Sequence, residues 1–282
     1  MFSHEFVRNA YLSGTFIALA CGVVGWFVVL RAQVFAADAL SHVAFVGTIG
    51  AALSGVNQQL GLVVATLAVA GVMTGLGRRA QADDVVIGIV FAWILGIGIL
   101  LITLLATSAR GGQGTITIGA LSGSIFGLSA GAAWIAAGVG ILVTAAVGTA
   151  FRPLLFSTLD PELAVVRGVP VRALGIAFLG ALALVTAEST QAVGALLLLG
   201  LLAAPAGAAH HLTDRPRLGI AVSGLIAVAA MWAGLALSYA IASLPPSSAI
   251  IGLAAAAYGA AALGVRLCDA EGRRRIRRTT GG

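Results

Sequence analysis

The sequence predicts an all-α membrane protein: a polytopic bundle of about nine transmembrane helices, with a short cytoplasmic helix and a short outer-side helix. Three observations predict it. Hydrophobic residues make up 60% of the 282 positions and charged residues only 9%, and mean hydropathy is +1.06. Apolar runs long enough to cross a hydrocarbon core of about 30 Å, which takes roughly 20 residues of helix, recur along the whole chain. No polar block is large enough to fold as a separate soluble unit, so residues 1–268 read as one transmembrane domain followed by a basic tail at 269–282.

The hydrophobic ruler picks out spans near 10–30, 35–54, 59–77, 85–106, 131–151, 171–187, 191–211, 218–242 and 247–266. Their separators carry turn residues: Asn57-Gln-Gln59, Arg78 to Asp84, Thr107 to Thr117, Arg152 to Arg172, Glu188-Ser-Thr190, Asp214-Arg-Pro-Arg217 and Leu244-Pro-Pro-Ser247. Residues 116–129 are too short and too rich in glycine and serine to cross, and read as a short helix or re-entrant segment on the outer side. The glycines and alanines suit close helix packing in lipid, as in the Gly71-x-x-x-Gly75 spacing. Pro205, inside the seventh span, removes one backbone hydrogen bond and predicts a kink.

Arginine fixes the orientation. All sixteen basic residues are arginine, and they gather in the 78–84, 152–172 and 214–217 connections and in the tail, which makes those segments cytoplasmic. With nine spans, Met1 lies outside and the C-terminus inside. The run Arg273-Arg-Arg-Ile-Arg-Arg278 reads as a tail facing anionic lipid, so the sequence pI of about 10.6 does not indicate a nucleic-acid partner. Cys21 falls within the first span and Cys268 after the last, so no disulfide framework is implied and neither is a metal-site candidate. No apolar leader with a cleavage site is evident, and the first span is expected to remain.

The longest inner connection contains Ser157-Thr-Leu-Asp-Pro-Glu-Leu-Ala-Val-Val-Arg-Gly-Val-Pro170. Asp160 suits an N-cap, Pro161 the first helical position, Glu162 the positive helix end, and Gly168 the stop. A short capped helix is expected there. It is either an inert link between two halves or a docking element for a cytosolic partner, and capping at both ends favours docking.

Ionisable side chains at membrane depth are costly and mark pathways or relays. Asp38 and His42 stand four residues apart in Phe35-Ala-Ala-Asp-Ala-Leu-Ser-His-Val-Ala-Phe-Val-Gly47. On a helix they share one face and could converge on one ion. The alternative is a buried Asp-His pair that only fixes packing. Adjacent His210 and His211 point about 100° apart and cannot both face one ion; one could serve an inner exit, or both could meet water and headgroups. Glu188, in Thr186-Ala-Glu-Ser-Thr-Gln191, is expected at an outer turn, where it could attract a cation, contact an external protein or simply be solvated. His4, beside Glu5, reads as an interfacial residue.

Gly25-Trp-Phe-Val-Val-Leu-Arg31, Asp38-Ala-Leu-Ser-His42, Ile87-Gly-Ile-Val-Phe91, Leu121-Ser-Gly-Ser-Ile-Phe-Gly127, Asp160-Pro-Glu-Leu-Ala164 with Arg167-Gly168, and Val193-Gly-Ala-Leu-Leu-Leu to Pro205 occur in this order. In sequence and separation they resemble the permease subunit of the manganese/zinc/iron family of ABC importers. The resemblance implies that residues 1–268 are a permease domain of the bacterial-type cytoplasmic membrane, without intrinsic cofactor, acting as a homodimer or a pair of related subunits. It implies two cytosolic ABC ATPases and an extracytoplasmic solute-binding protein as partners. It also assigns Asp38 and His42 to the translocation path of a divalent metal ion, zinc, manganese or iron. Asp160, Pro161, Glu162, Leu163, Ala164, Val166, Arg167 and Gly168 become the helix that couples to the ATPase, with Glu162 and Arg167 as polar contacts and Leu163, Ala164 and Val166 as packing. The chain has no G-x-x-x-x-G-K-[ST] loop, so ATP would be bound and hydrolysed by the partner and this chain is not expected to be an enzyme. A one-component proton-coupled metal carrier is the alternative, but it leaves the capped inner helix without a purpose and would be supported by inverted repeats, which are not evident. An intramembrane metalloprotease lacks its H-E-x-x-H.

Overall fold

A computed structural model of the chain describes residues 5–76, 84–107, 123–195, 198–241 and 243–279, with side chains as far as residue 267. The described residues contain helices and no strand: α1 (Glu5–Leu30), α2 (Val34–Ser54), α3 (Gln58–Leu76), α4 (Asp84–Thr107), α5 (Ala130–Thr149), α6 (Phe151–Leu159), α7 (Pro161–Val166), α8 (Val171–Val193), α9 (Leu198–Leu212), α10 (Pro216–Ala240) and α11 (Pro246–Thr279). A single 3-10 turn, Ile125–Gly127, precedes α5. His4, the 78–83 and 108–117 parts of the expected connections, and 116–122 of the expected outer-side segment lie outside the described residues.

Eight of these helices are long and apolar enough to cross a membrane. The expected seventh span is the exception. Its helix, α9, has only 15 residues, about 22 Å of rise against a core of about 30 Å. The polarity of Glu188-Ser-Thr190 suggests a turn, but α8 runs through all three residues and breaks at Gly194 (φ 94°). Thr190 Oγ1 donates back to the Thr186 carbonyl at 2.7 Å, and Ser189 Oγ lies 3.1 Å from Cys21 Sγ, so two hydroxyls of an apparent loop are satisfied inside the bundle.

α1 forms the centre, packed by α5, α8, α9 and α10, while α2 leans on α3, α4 and α8. Close approach is made by glycines other than the pair that the spacing suggested. A Cβ on Gly25 would collide with the Leu202 carbonyl of α9, and one on Gly22 would stand 2.7 Å from the Cα of Gly224 in α10. Gly71 and Gly75 meet nothing within 4 Å of such an atom, so their side of α3 is open. Pro205 lies buried within a continuous α9.

The bundle has two chemically distinct ends. Arg31, just after α1, reaches Thr158 of α6, and His210 near the end of α9 reaches the Trp26 carbonyl near the end of α1. Arg152 and Arg217 line one groove between α6 and α10. These contacts put the 31–33, 151–171 and 213–217 connections, with most of the described arginines, at one end. The opposite end gathers Phe6 of α1 against Phe126, with ring centroids 5.9 Å apart, and Ser124, whose N–H donates to the Gln191 carbonyl at 3.0 Å.

Candidate functional site

α2 begins at the arginine-rich end, so Asp38 and His42 stand about one and two turns into it. Phe35, Asp38 and His42 share one face by their spacing. Phe91 of α4 covers that face, its ring centroid 5.8 Å from that of Phe35 and 5.2 Å from that of His42, at interplanar angles of 64° and 65°. Both Asp38 and His42 are half-buried. No ion pair joins them, and among the described residues no hydrogen bond holds either side chain; Ser41 caps only the Asp38 carbonyl, at 2.7 Å. The structure thus brings one carboxylate and one imidazole onto one half-buried face beside Phe91 without pairing them with each other. One oxygen and one nitrogen ligand do not complete a metal site, and no group of three or more candidate ligand side chains is found among the described residues.

Glu188 does not lie in a solvated outer turn. It is 3% exposed within α8, and its nearest neighbour Ala187 packs with Ala44 of α2 and Leu62 of α3. Positions 42 and 44 are about 200° apart around a helix, so the α2 face that meets α8 is turned away from His42. The polar side chain facing the Glu188 carboxyl is Gln59, at the start of α3. Glu188 Oε2 and Gln59 Nε2 are each buried without a hydrogen-bond partner of good geometry. Asn57-Gln-Gln59 has the composition of a turn, but Gln59 lies in the first turn of α3. The available signal was its spacing at the head of an apolar run.

His210 and His211 diverge, as their adjacency requires. His210 stacks on Trp26 at 4.9 Å and 15°, with its Nε2 3.2 Å from the Trp26 carbonyl. His211 is exposed and approaches Tyr258 of α11 at 5.5 Å.

The connection between the two halves is built as α6 followed by α7. The capping residues predict one short helix there; the structure adds α6, whose Ser157 and Thr158 hydroxyls both bond back to the Leu154 carbonyl. α7 has the expected caps. Asp160 Oδ1 accepts from the Leu163 N–H at 2.9 Å, Pro161 occupies the first turn, and Gly168 stops the helix at φ 76°. Val169 N–H then closes on the Ala164 carbonyl at 2.9 Å, a Schellman arrangement. Glu162, Leu163, Val166 and Arg167 are exposed. Ala164 is fully buried, so it packs inward against its own chain and offers no surface to a partner.

Behind α7, Arg31 ties the end of α1 to α6. Its Nε donates to Thr158 Oγ1 at 2.9 Å and an Nη reaches Ser157 Oγ at 3.4 Å. The guanidinium lies 4.6 Å from the Phe178 ring centroid of α8. Burial pushes it down to about 10, so it stays charged at neutral pH.

The ABC 3 transport family matches residues 3–264. The chain belongs to that family. Like its relatives, this ABC 3 chain is a metal-family ABC permease and a multi-pass membrane protein, as the sequence resemblance implied. It is 28% identical over 236 residues to the manganese transport system membrane protein MntC of Halalkalibacterium halodurans, covering 83% of this chain and 79% of that one. It is 29% identical to the manganese transport system membrane protein MntD of Bacillus subtilis, covering 82% and 86%. Among solved structures, PsaBC from Streptococcus pneumoniae in complex with Fab superposes with a TM-score of 0.79 at 25% identity, covering 92% of this chain and 91% of that chain.

Proposed function

We propose that this chain forms the translocation path of an ATP-driven importer of a divalent transition-metal ion, manganese or zinc, with Asp38 and His42 as its ligands. The observation that carries the reading is the Asp38–His42 face of α2, where neither side chain is paired within the chain, in a chain of a metal-permease family. An oxygen and a nitrogen donor suit both ions, and the names of the relatives favour manganese. Two such faces related by a twofold axis supply two carboxylates and two imidazoles, enough for a transient site. The second permease copy is therefore part of the site. A ligand set assembled between subunits can also come apart, which release requires.

In this reading α7 is the element that engages a cytosolic ATPase, through Leu163, Val166, Glu162 and Arg167, while Asp160, Pro161 and Gly168 shape it and Ala164 roots it. ATP is bound and hydrolysed by that partner. An extracytoplasmic binding protein delivers the ion to the opposite end. The arginine-rich end is cytoplasmic, with the C-terminal tail inside, the N-terminus outside and the chain in the bacterial inner membrane. Residues 1–268 act as one permease domain and 269–282 as a basic tail. His210, held on Trp26, is structural, and His211 is an interfacial residue at the inner mouth. Glu188 with Gln59 joins α8 to α3 and does not ligate the same ion.

The testing experiment reconstitutes the chain with its ATPase and binding protein in liposomes and follows manganese and zinc uptake. ATP-dependent uptake supports the reading. Uptake driven by a proton gradient without the ATPase contradicts it.

A further inference from the structure

A groove of about 780 Å³ lies between α6 and the start of α10, apart from the Asp38–His42 face and lined by no residue of α7. Its rim carries three guanidiniums, those of Arg152, Arg215 and Arg217, and its floor is apolar, with Phe156, Leu159 and Leu218 among the lining residues. All three arginines are exposed, and among the described residues none has a carboxylate partner. Asp214 adjoins Arg215 in sequence but does not line the groove. Leu159 is 64% and Leu218 49% exposed, so the floor is uncovered.

We propose that this groove binds an anionic phospholipid of the inner leaflet, headgroup phosphate on the arginines and acyl chain along the apolar floor. Charge and shape carry the inference. Arginine presents a planar fork of donors that matches a phosphate, and the volume falls in the range of small-molecule sites. A soluble anion would satisfy the arginines and leave the floor wet; a zwitterionic lipid would cover the floor but bring its own cation beside the three arginines. A lipid with net negative charge answers both halves. The position agrees: α6 follows the membrane-crossing α5, and Arg215 and Pro216 open the membrane-crossing α10. The groove therefore sits at the polar boundary of the bundle. Its wall, α6, is also the helix that Arg31 grips and that leads directly into α7. A bound lipid would thus brace the base of α7.

The test is native mass spectrometry of the full-length chain in mild detergent, offered phosphatidylglycerol or phosphatidylcholine with identical acyl chains. The expected result is a preference of about tenfold or more for phosphatidylglycerol, from the attraction of three arginines to a headgroup with net negative charge. Triple replacement Arg152→Gln, Arg215→Gln, Arg217→Gln should abolish the preference, and triple replacement by Lys should keep most of it. Leu159→Glu, at a position already exposed, should abolish it without disturbing the bundle interior, whereas Arg273→Gln with Arg274→Gln in the tail should leave it intact. Equal retention of the two lipids by the natural protein overturns the proposal, as does an unchanged preference in both groove variants. Displacement of phosphatidylglycerol by millimolar inorganic phosphate alone makes the site a free-anion site and overturns it too. Loss of ATPase co-purification in the groove variants, with lipid retention unchanged, makes the groove a protein dock and equally overturns it.

Discussion

Arg31 and Thr158 are 127 positions apart in the chain and joined by a 2.9 Å hydrogen bond from guanidinium to hydroxyl. The bond links the end of the central helix α1 to the helix that leads into α7, two residues before Asp160. With Ser157 and the Phe178 ring also in contact, the arginine is held from two elements. The link thus connects the base of α7 to α1, the crossing helix with the largest buried share.

Arg31→Met should separate ATP hydrolysis from transport. A charged hydrogen bond of this kind contributes about 1.5–3 kcal/mol, and its loss frees α6 without unfolding the bundle. The expected outcome is retained ATPase activity in proteoliposomes with reduced metal uptake. Arg31→Lys should rescue only in part, because one ammonium cannot reproduce the two-nitrogen contact. Normal uptake by Arg31→Met would show that the link is not used.

α7 makes a prediction through its caps. Gly168→Ala puts a side chain into the left-handed region at a cost of about 1–2 kcal/mol, and Asp160→Ala removes an N-cap worth about 1 kcal/mol. Both should weaken co-purification of the ATPase while leaving the yield of the membrane-embedded chain unchanged. Val166→Glu, at a side chain 83% exposed, should do the same without touching either cap.

The crossing helices and both caps of α7 were legible in the sequence, because apolar length and capping residues act locally. The α8–α9 break was not. Glu188, Ser189 and Thr190 have the composition of a turn, and only tertiary partners, Cys21 and Gln59 on other helices, explain why they lie inside one. The pairing of α2 with its face toward Phe91 was half legible: spacing put Asp38 and His42 together, but not the ring that covers them. Gly25 was visible as a residue and not as a contact, since close approach depends on which helix passes it.

Glycine contacts give a stability test. Gly25→Ala places a methyl group against the Leu202 backbone, where neither helix can yield without moving, and overpacking of this kind costs about 1–3 kcal/mol. Thermal unfolding in detergent should fall measurably for Gly25→Ala and remain unchanged for Gly71→Ala, which meets open space. Equal effects would contradict the packing described for α1 and α9.

Glu188 predicts a split between its isosteric and its truncating variants. Glu188→Gln keeps a polar side chain facing Gln59 and removes a buried carboxylate, so thermal stability should hold or rise. Glu188→Ala leaves a cavity at a position only 3% exposed, at about 2 kcal/mol or more, and should lower it. Uptake should persist in Glu188→Gln; its loss there would place Glu188 on the ion path.

The central claim is that Asp38 and His42 hold the transported ion. The most direct measurement is ATP-dependent manganese uptake into liposomes containing the natural permease or His42→Ala, each with the same ATPase and binding protein. Uptake at the level of empty liposomes, with ATP hydrolysis and assembly retained, is the predicted result. Uptake by His42→Ala equal to that of the natural protein would contradict the account.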